Sequence, residues 1–114
     1  MISDEELNEV KRRLVDGFHP DKIILFGSQA RGTADDRSDV DILVVSRFEG
    51  ERRALMLEMD RTLGELDYAF DVLVSTPEEY EVDRLIPGTV SRYAYKEGRV
   101  LYGSSSREDP SESQ

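Results

Sequence analysis

Three short apolar runs constrain the fold of this chain more than anything else in it. They are Lys22-Ile23-Ile24-Leu25-Phe26, Val40-Asp41-Ile42-Leu43-Val44-Val45 and Ala69-Phe70-Asp71-Val72-Leu73-Val74. Each is dense in residues that suit a pleated, buried surface and reads as a strand. Between them, apolar residues recur at helical spacing. Ser3 and Glu6 have the spacing of a capping box, and Leu7, Val10, Leu14 and Phe18 follow, giving a helix over Asp4–Asp16 that Gly17 and Pro20 close. A helix from Gly50 to about Leu66 carries Leu55, Met59, Leu63 and Leu66 on one face, with Glu51, Arg52, Arg53, Glu58 and Arg61 on a solvated one. Thr76-Pro77-Glu78-Glu79 starts another helix, Val90, Tyr93 and Ala94 suggest a short one, and Arg99–Tyr102 is a last extended piece. The expected architecture is a small α/β domain over residues 1–102, with a mixed sheet of three or four strands flanked by helices. Residues 103–114, opening on Gly103-Ser104-Ser105-Ser106, have no apolar anchors and read as a disordered polar tail.

Composition narrows the function. At 114 residues there is room for one domain, which buries only about two-thirds of its unfolded surface, so any active site lies on a thin structure. The net charge is −10, and the acidity belongs to the main body as well as the tail, which argues against extended nucleic acid as a partner. No apolar run approaches the length of a bilayer span, and the first residues lack the basic and apolar regions of a signal peptide. There is no cysteine, hence no disulfide and no thiolate metal site. The expected location is cytoplasmic.

The chemistry is concentrated between the first two strands and on the third. Asp39 and Asp41 lie where an apolar strand begins, and the period of two sends both side chains to one face. Two adjacent carboxylates raise each other's pKa unless a positive charge sits between them. A divalent cation resolves that conflict, and all-oxygen ligands favour Mg²⁺ or Mn²⁺ over zinc. Asp71 supplies a third carboxylate from inside an apolar run, where a lone charge is costly, if its strand lies beside the second. Asp67 competes for that role, but it sits at a helix-to-strand turn where an acid is ordinary. Three aspartates on adjacent strands suit two-metal phosphoryl transfer. A triphosphate cradle precedes them: Gly27 lets backbone approach phosphate, Ser28 offers a hydroxyl and an N–H at the start of a turn, and Arg31 brings positive charge. This is not a P-loop, because the Lys-Ser/Thr pair is missing. Singly, each feature has a plainer reading: a turn, a solvated acid pair, a surface arginine. Their agreement in order and spacing favours a catalytic site.

Gly27-Ser28, ten intervening residues and Asp39-Val40-Asp41 resemble the signature of the DNA polymerase β-like nucleotidyltransferase superfamily. The fuller string Gly-Ser-x-Ala-Arg-Gly followed by Ser-Asp-x-Asp is similar to its minimal, antitoxin-type branch. Phe70–Val74 resembles the strand carrying that family's third acid, and Glu97–Tyr102 is similar to its ending. The resemblance implies that Asp39, Asp41 and Asp71 hold two Mg²⁺ ions and that Gly27 and Ser28 hold the triphosphate. It also implies transfer of AMP from ATP to a tyrosine of a helical HEPN-type toxin, with this chain as antitoxin. Two other expectations stand beside it: neutralisation of a partner by binding alone, and nucleotidyl transfer to a small molecule. His19 and most tyrosines read as turn and packing residues, and Asp35 and Asp36 as turn formers. A chain this small shows an NTP cradle but no evident acceptor pocket.

Overall fold

A computed structural model describes residues 1–34 and 39–103. In chain order the elements are α1 (Asp4–Phe18), β1 (Lys22–Phe26), α2 (Ser28–Arg31), β2 (Val40–Val45), α3 (Arg52–Leu63), β3 (Phe70–Ser75), α4 (Pro77–Asp83), α5 (Val90–Glu97) and β4 (Arg99–Tyr102). The four strands form one mixed sheet in the order β3-β2-β1-β4. β1 runs antiparallel to β2 and β4, whereas β2 and β3 are parallel and joined through α3. The expected α/β class and flanked mixed sheet are therefore present, with four strands. The tail beyond Gly103 and the turn residues Asp35 and Asp36 lie outside the described residues.

Strand alternation gives the sheet two buried faces. Ile23, Leu25, Ile42, Val44, Val72 and Val74 pack with Leu7, Val10 and Leu14 of α1 and with Met59 and Leu63 of α3. Ile24, Phe26, Leu43 and Val45 point the other way and meet Tyr80 of α4 and Ala94 of α5. Side chains such as Leu14, Ile23 and Met59 are fully buried, and each contributes about 1.5–3 kcal/mol on removal from water. The second face is the shorter of the two along β2 and β3, because Asp41 and Asp71 occupy its outer end.

Local boundaries differ from expectation where caps decide them. α1 continues through Gly17 to Phe18 and ends only at His19, whose φ of 49° lets its N–H donate to the Val15 carbonyl. Both capping boxes form, Ser3 with Glu6 and Thr76 with Glu79. α3 is shorter than the apolar pattern, starting at Arg52 and stopping before Gly64, although Leu66 still packs on the core. Arg52 is exposed, as expected of the charged face of α3, and also reaches two neighbouring elements. Its Nη1 donates to the Val74 carbonyl (3.3 Å) and its Nη2 to Glu79 Oε2 (2.6 Å), tying α3 to β3 and α4.

Candidate active site

β1 delivers the chain to one corner of the sheet and Gly27 turns it. Its backbone (φ 74°, ψ −156°) lies in a region only glycine occupies without strain. A Cβ there would collide with Oδ2 of Asp41 and come within 3.2 Å of its Cγ. The missing side chain is thus space beside a carboxylate. α2 follows at once: the N–H groups of Ala30 and Arg31 both donate to the Gly27 carbonyl (3.1 Å each), which leaves the first-turn donor of Ser28 without an intrahelical acceptor.

Gln29 holds this turn in place. It is buried, and its Oε1 accepts the backbone N–H of Ile2 (2.9 Å), so the N-terminus is strapped under the loop. Nothing in the sequence marks it, because a lone polar residue in a Gly-Ser turn reads as solvated. Arg31 is exposed, with its guanidinium 5.9 Å from the Tyr93 ring centre, and Tyr93 meets Phe26 edge-on at 5.9 Å. Tyr93 is therefore packing for the turn, as expected of most tyrosines.

The acids come from β2 and β3. Asp41 pairs in register with Phe26 on one side and Asp71 on the other. Parallel neighbours lie about 4.8 Å apart, so the Asp41 and Asp71 carboxylates leave the sheet side by side. Asp39 is exposed two residues earlier on the same face. Burial raises the pKa of Asp41 most, followed by the negative charges of Asp71 and Asp39, while Arg31 pulls it down. Asp71 differs from expectation in one respect. It is exposed on an edge strand, so it bears no burial cost; Asp41 is the acid that does. Among the described residues no three acidic or histidine side chains converge closely enough to cage an ion as they stand. The donor chemistry, three carboxylates with Arg31 as the nearby cation, still suits a hard divalent cation.

A groove of about 540 Å³ opens beside Asp71, between α3 and the outer edge of β3. Arg53, Met56, Leu57 and Asp60 of α3 line it on one side and Phe70, Asp71 and Val72 on the other. The sequence hid it because its two walls lie in separate elements.

The family profile of nucleotidyltransferase domains matches residues 7–98. The chain belongs to the nucleotidyltransferase domain family. A protein of Methanocaldococcus jannaschii that bears the name of a candidate protein adenylyltransferase is 48% identical over 52 residues, covering 46% of this chain but 34% of its own length. A second such protein from that organism is 35% identical over 81 residues, 71% of this chain and 77% of its own length. Similar solved folds include a toxin–antitoxin complex crystallised with AMP-PNP (TM-score 0.64, 23% identity, 86% of this chain and 73% of that one). Another is the complex of a tri-AMPylated HEPN toxin of Shewanella oneidensis with its MNT antitoxin (TM-score 0.56, 20% identity, 86% of this chain and 70% of that one). The resemblance of Gly27-Ser28 and Asp39-Val40-Asp41 to the superfamily signature is thus borne out at the level of the family. No helix among the described residues is long and apolar enough to cross a membrane.

Proposed function

We propose that this nucleotidyltransferase moves AMP from ATP onto a side-chain hydroxyl of a protein partner, with Asp39, Asp41 and Asp71 as its catalytic acids. The observation that carries the reading is the in-register pair Asp41 and Asp71, set beside a glycine turn whose open side faces Asp41. Carboxylates are not pressed together against burial without use, and perturbed acids mark functional sites. Gly27 admits a phosphate close to the backbone, Ser28 donates to it from its N–H and hydroxyl, and Arg31 balances the charge of the outer phosphates. Asp39, Asp41 and Asp71 are the residues to hold Mg²⁺ or Mn²⁺, which when bound supplies positive charge for the attacking oxygen and the leaving pyrophosphate. The acceptor hydroxyl forms a bond to the α-phosphorus as the α–β phosphoanhydride bond breaks. Its proton passes to the carboxylate of Asp71, an exposed acid at the edge of the groove.

The acceptor is a tyrosine hydroxyl of a small helical HEPN-type toxin, which AMP transfer blocks; this chain is the antitoxin. Two observations support a protein acceptor. The solved complexes it resembles pair a toxin with an antitoxin. An apolar patch of Val82, Leu85, Ile86 and Val90 is also exposed, at 60%, 59%, 44% and 42%, on the α4–α5 elbow. The same patch favours a second reading, neutralisation by binding alone. The double variant Asp39→Ala with Asp41→Ala separates them in cells expressing the toxin. Loss of protection with the complex intact supports transfer; full protection by the variant establishes occlusion.

A further inference from the structure

We infer that the acceptor reaches Asp71 as an extended segment that pairs, strand to strand, with the open edge of β3. This rests on the transferase reading of the site. β3 is an edge strand, and its hydrogen bonds to β2 fix which groups face outward. The N–H of Val40 donates to the Ala69 carbonyl (2.8 Å) and the N–H of Ser46 to the Ser75 carbonyl (2.9 Å). In a parallel ladder the outward and inward residues alternate, so 69, 71, 73 and 75 bond β2 while 70, 72 and 74 turn their main-chain groups away from it. The outward carbonyl of Val74 is taken by Arg52. Those of Phe70 and Val72, and their N–H groups, receive no partner from the described residues, and they line the groove beside Asp71.

An unpaired edge next to a reactive acid is what strand addition uses: main-chain bonds give affinity, and alternate side chains choose the sequence. A segment bonded to Phe70 and Val72 lies one strand spacing, about 4.8 Å, from β3. A tyrosine at the level of Asp71 then projects its hydroxyl toward the carboxylate, on the face shared with Asp41. Arg53 and Asp60 both line the α3 wall, so it carries both signs of charge, and what faces the tyrosine's sequence neighbours is the apolar stretch of Met56, Leu57, Phe70 and Val72. The occupant is thus a short, extended segment of the partner that carries the tyrosine between apolar neighbours.

The probe is the peptide acetyl-Glu-Val-Tyr-Val-Glu-amide, with two isomers N-methylated either at tyrosine or at both valines. Amide hydrogen exchange is read by NMR on the full chain with Mg²⁺ and a non-hydrolysable ATP analogue. The expected result is slowing of Phe70 and Val72 exchange by about tenfold or more, with one N-methylated isomer active and the other not. Replacing both valines of the peptide by glutamate weakens the effect, because charge then meets the apolar wall of Met56, Leu57, Phe70 and Val72. Unchanged exchange at Phe70 and Val72 overturns the proposal, as does equal behaviour of both isomers, which means side-chain docking only. Protection that rises with protein concentration in the absence of peptide also overturns it, since a second copy then covers the edge. Incubation with labelled ATP tells the two ideas apart. Peptide protection without transfer sinks the transferase reading alone, and transfer without protection sinks strand pairing alone.

Discussion

Replacing Gly27 by alanine tests the corner on which the site is built. Two costs combine in Gly27→Ala. The backbone at φ 74° and ψ −156° is a region where a residue with a Cβ is strained by about 1–3 kcal/mol. The new methyl also overlaps Asp41 Oδ2, so Asp41 must swing out of its half-buried position or the turn must shift. Overpacking of this kind costs a further 1–3 kcal/mol or so. A total of roughly 2–6 kcal/mol corresponds, at about 4–8 °C per kcal/mol for a domain near this size, to a melting temperature lower by about 8 °C or more. Gly32→Ala is the control. It has a positive φ of 76° but no atom within 4 Å of an added Cβ, so it incurs only the cost of the left-handed backbone, about 1 kcal/mol. Adding Asp41→Ala to Gly27→Ala removes the colliding carboxyl, and the double variant should lose less than the two singles together, by about 1 kcal/mol or more. The assay is thermal unfolding followed by circular dichroism. A Gly27→Ala melting point within a degree or two of wild type, or strictly additive singles, would refute this account of the turn.

Three further perturbations have defined signs. Gln29→Leu leaves the buried N–H of Ile2 without its acceptor and should cost about 1–3 kcal/mol in urea unfolding; no loss means the strap does not hold the turn. Asp41→Asn should melt higher than wild type at pH 7 while abolishing transfer. Burial and the neighbouring acids hold the Asp41 pKa above its unfolded value, so its ionised form opposes folding above that value and the penalty fades as pH falls through the folded pKa. The advantage of the asparagine variant should accordingly shrink on acidification, and a variant that melts lower at pH 7 contradicts it. Glu9 behaves oppositely: hydrogen bonds from Arg12 and Arg13 bring its pKa from 4.5 to about 2, so its contribution is present above pH 4.5 and lost toward pH 2. The pair is exposed, so Glu9→Gln should lower the melting point only slightly at pH 7, and that gap should close over the same range; a gap independent of pH discounts the ion pairs.

Much of this was legible in the sequence, for reasons that are local. The alternation in Val40–Val45 and the Asp39-Val40-Asp41 spacing place both acids on one face whatever the rest of the chain does. Ser3 with Glu6 and Thr76 with Glu79 mark helix starts through bonds made within four residues. What escaped depends on contacts between distant segments. Gln29 acquires its role from Ile2, 27 residues away, and Arg52 from Val74 and Glu79. The apolar run around Asp71 implies a buried charge, yet Asp71 lies on an exposed edge, because strand order across the sheet is not written in any one strand. The groove beside it needs that order too, since it exists only because nothing pairs beyond β3 among the described residues.

The central claim is nucleotidyl transfer by Asp39, Asp41 and Asp71 to a protein hydroxyl. Its most direct test is the intact mass of the proposed HEPN-type partner, after its incubation with this chain, Mg²⁺ and each of the four NTPs. The expected result is a partner heavier by one or more AMP groups, mapped to tyrosine, with ATP alone and with no gain when Asp71→Asn replaces wild type. An unchanged partner mass with all four nucleotides, from a complex that still forms, would contradict it.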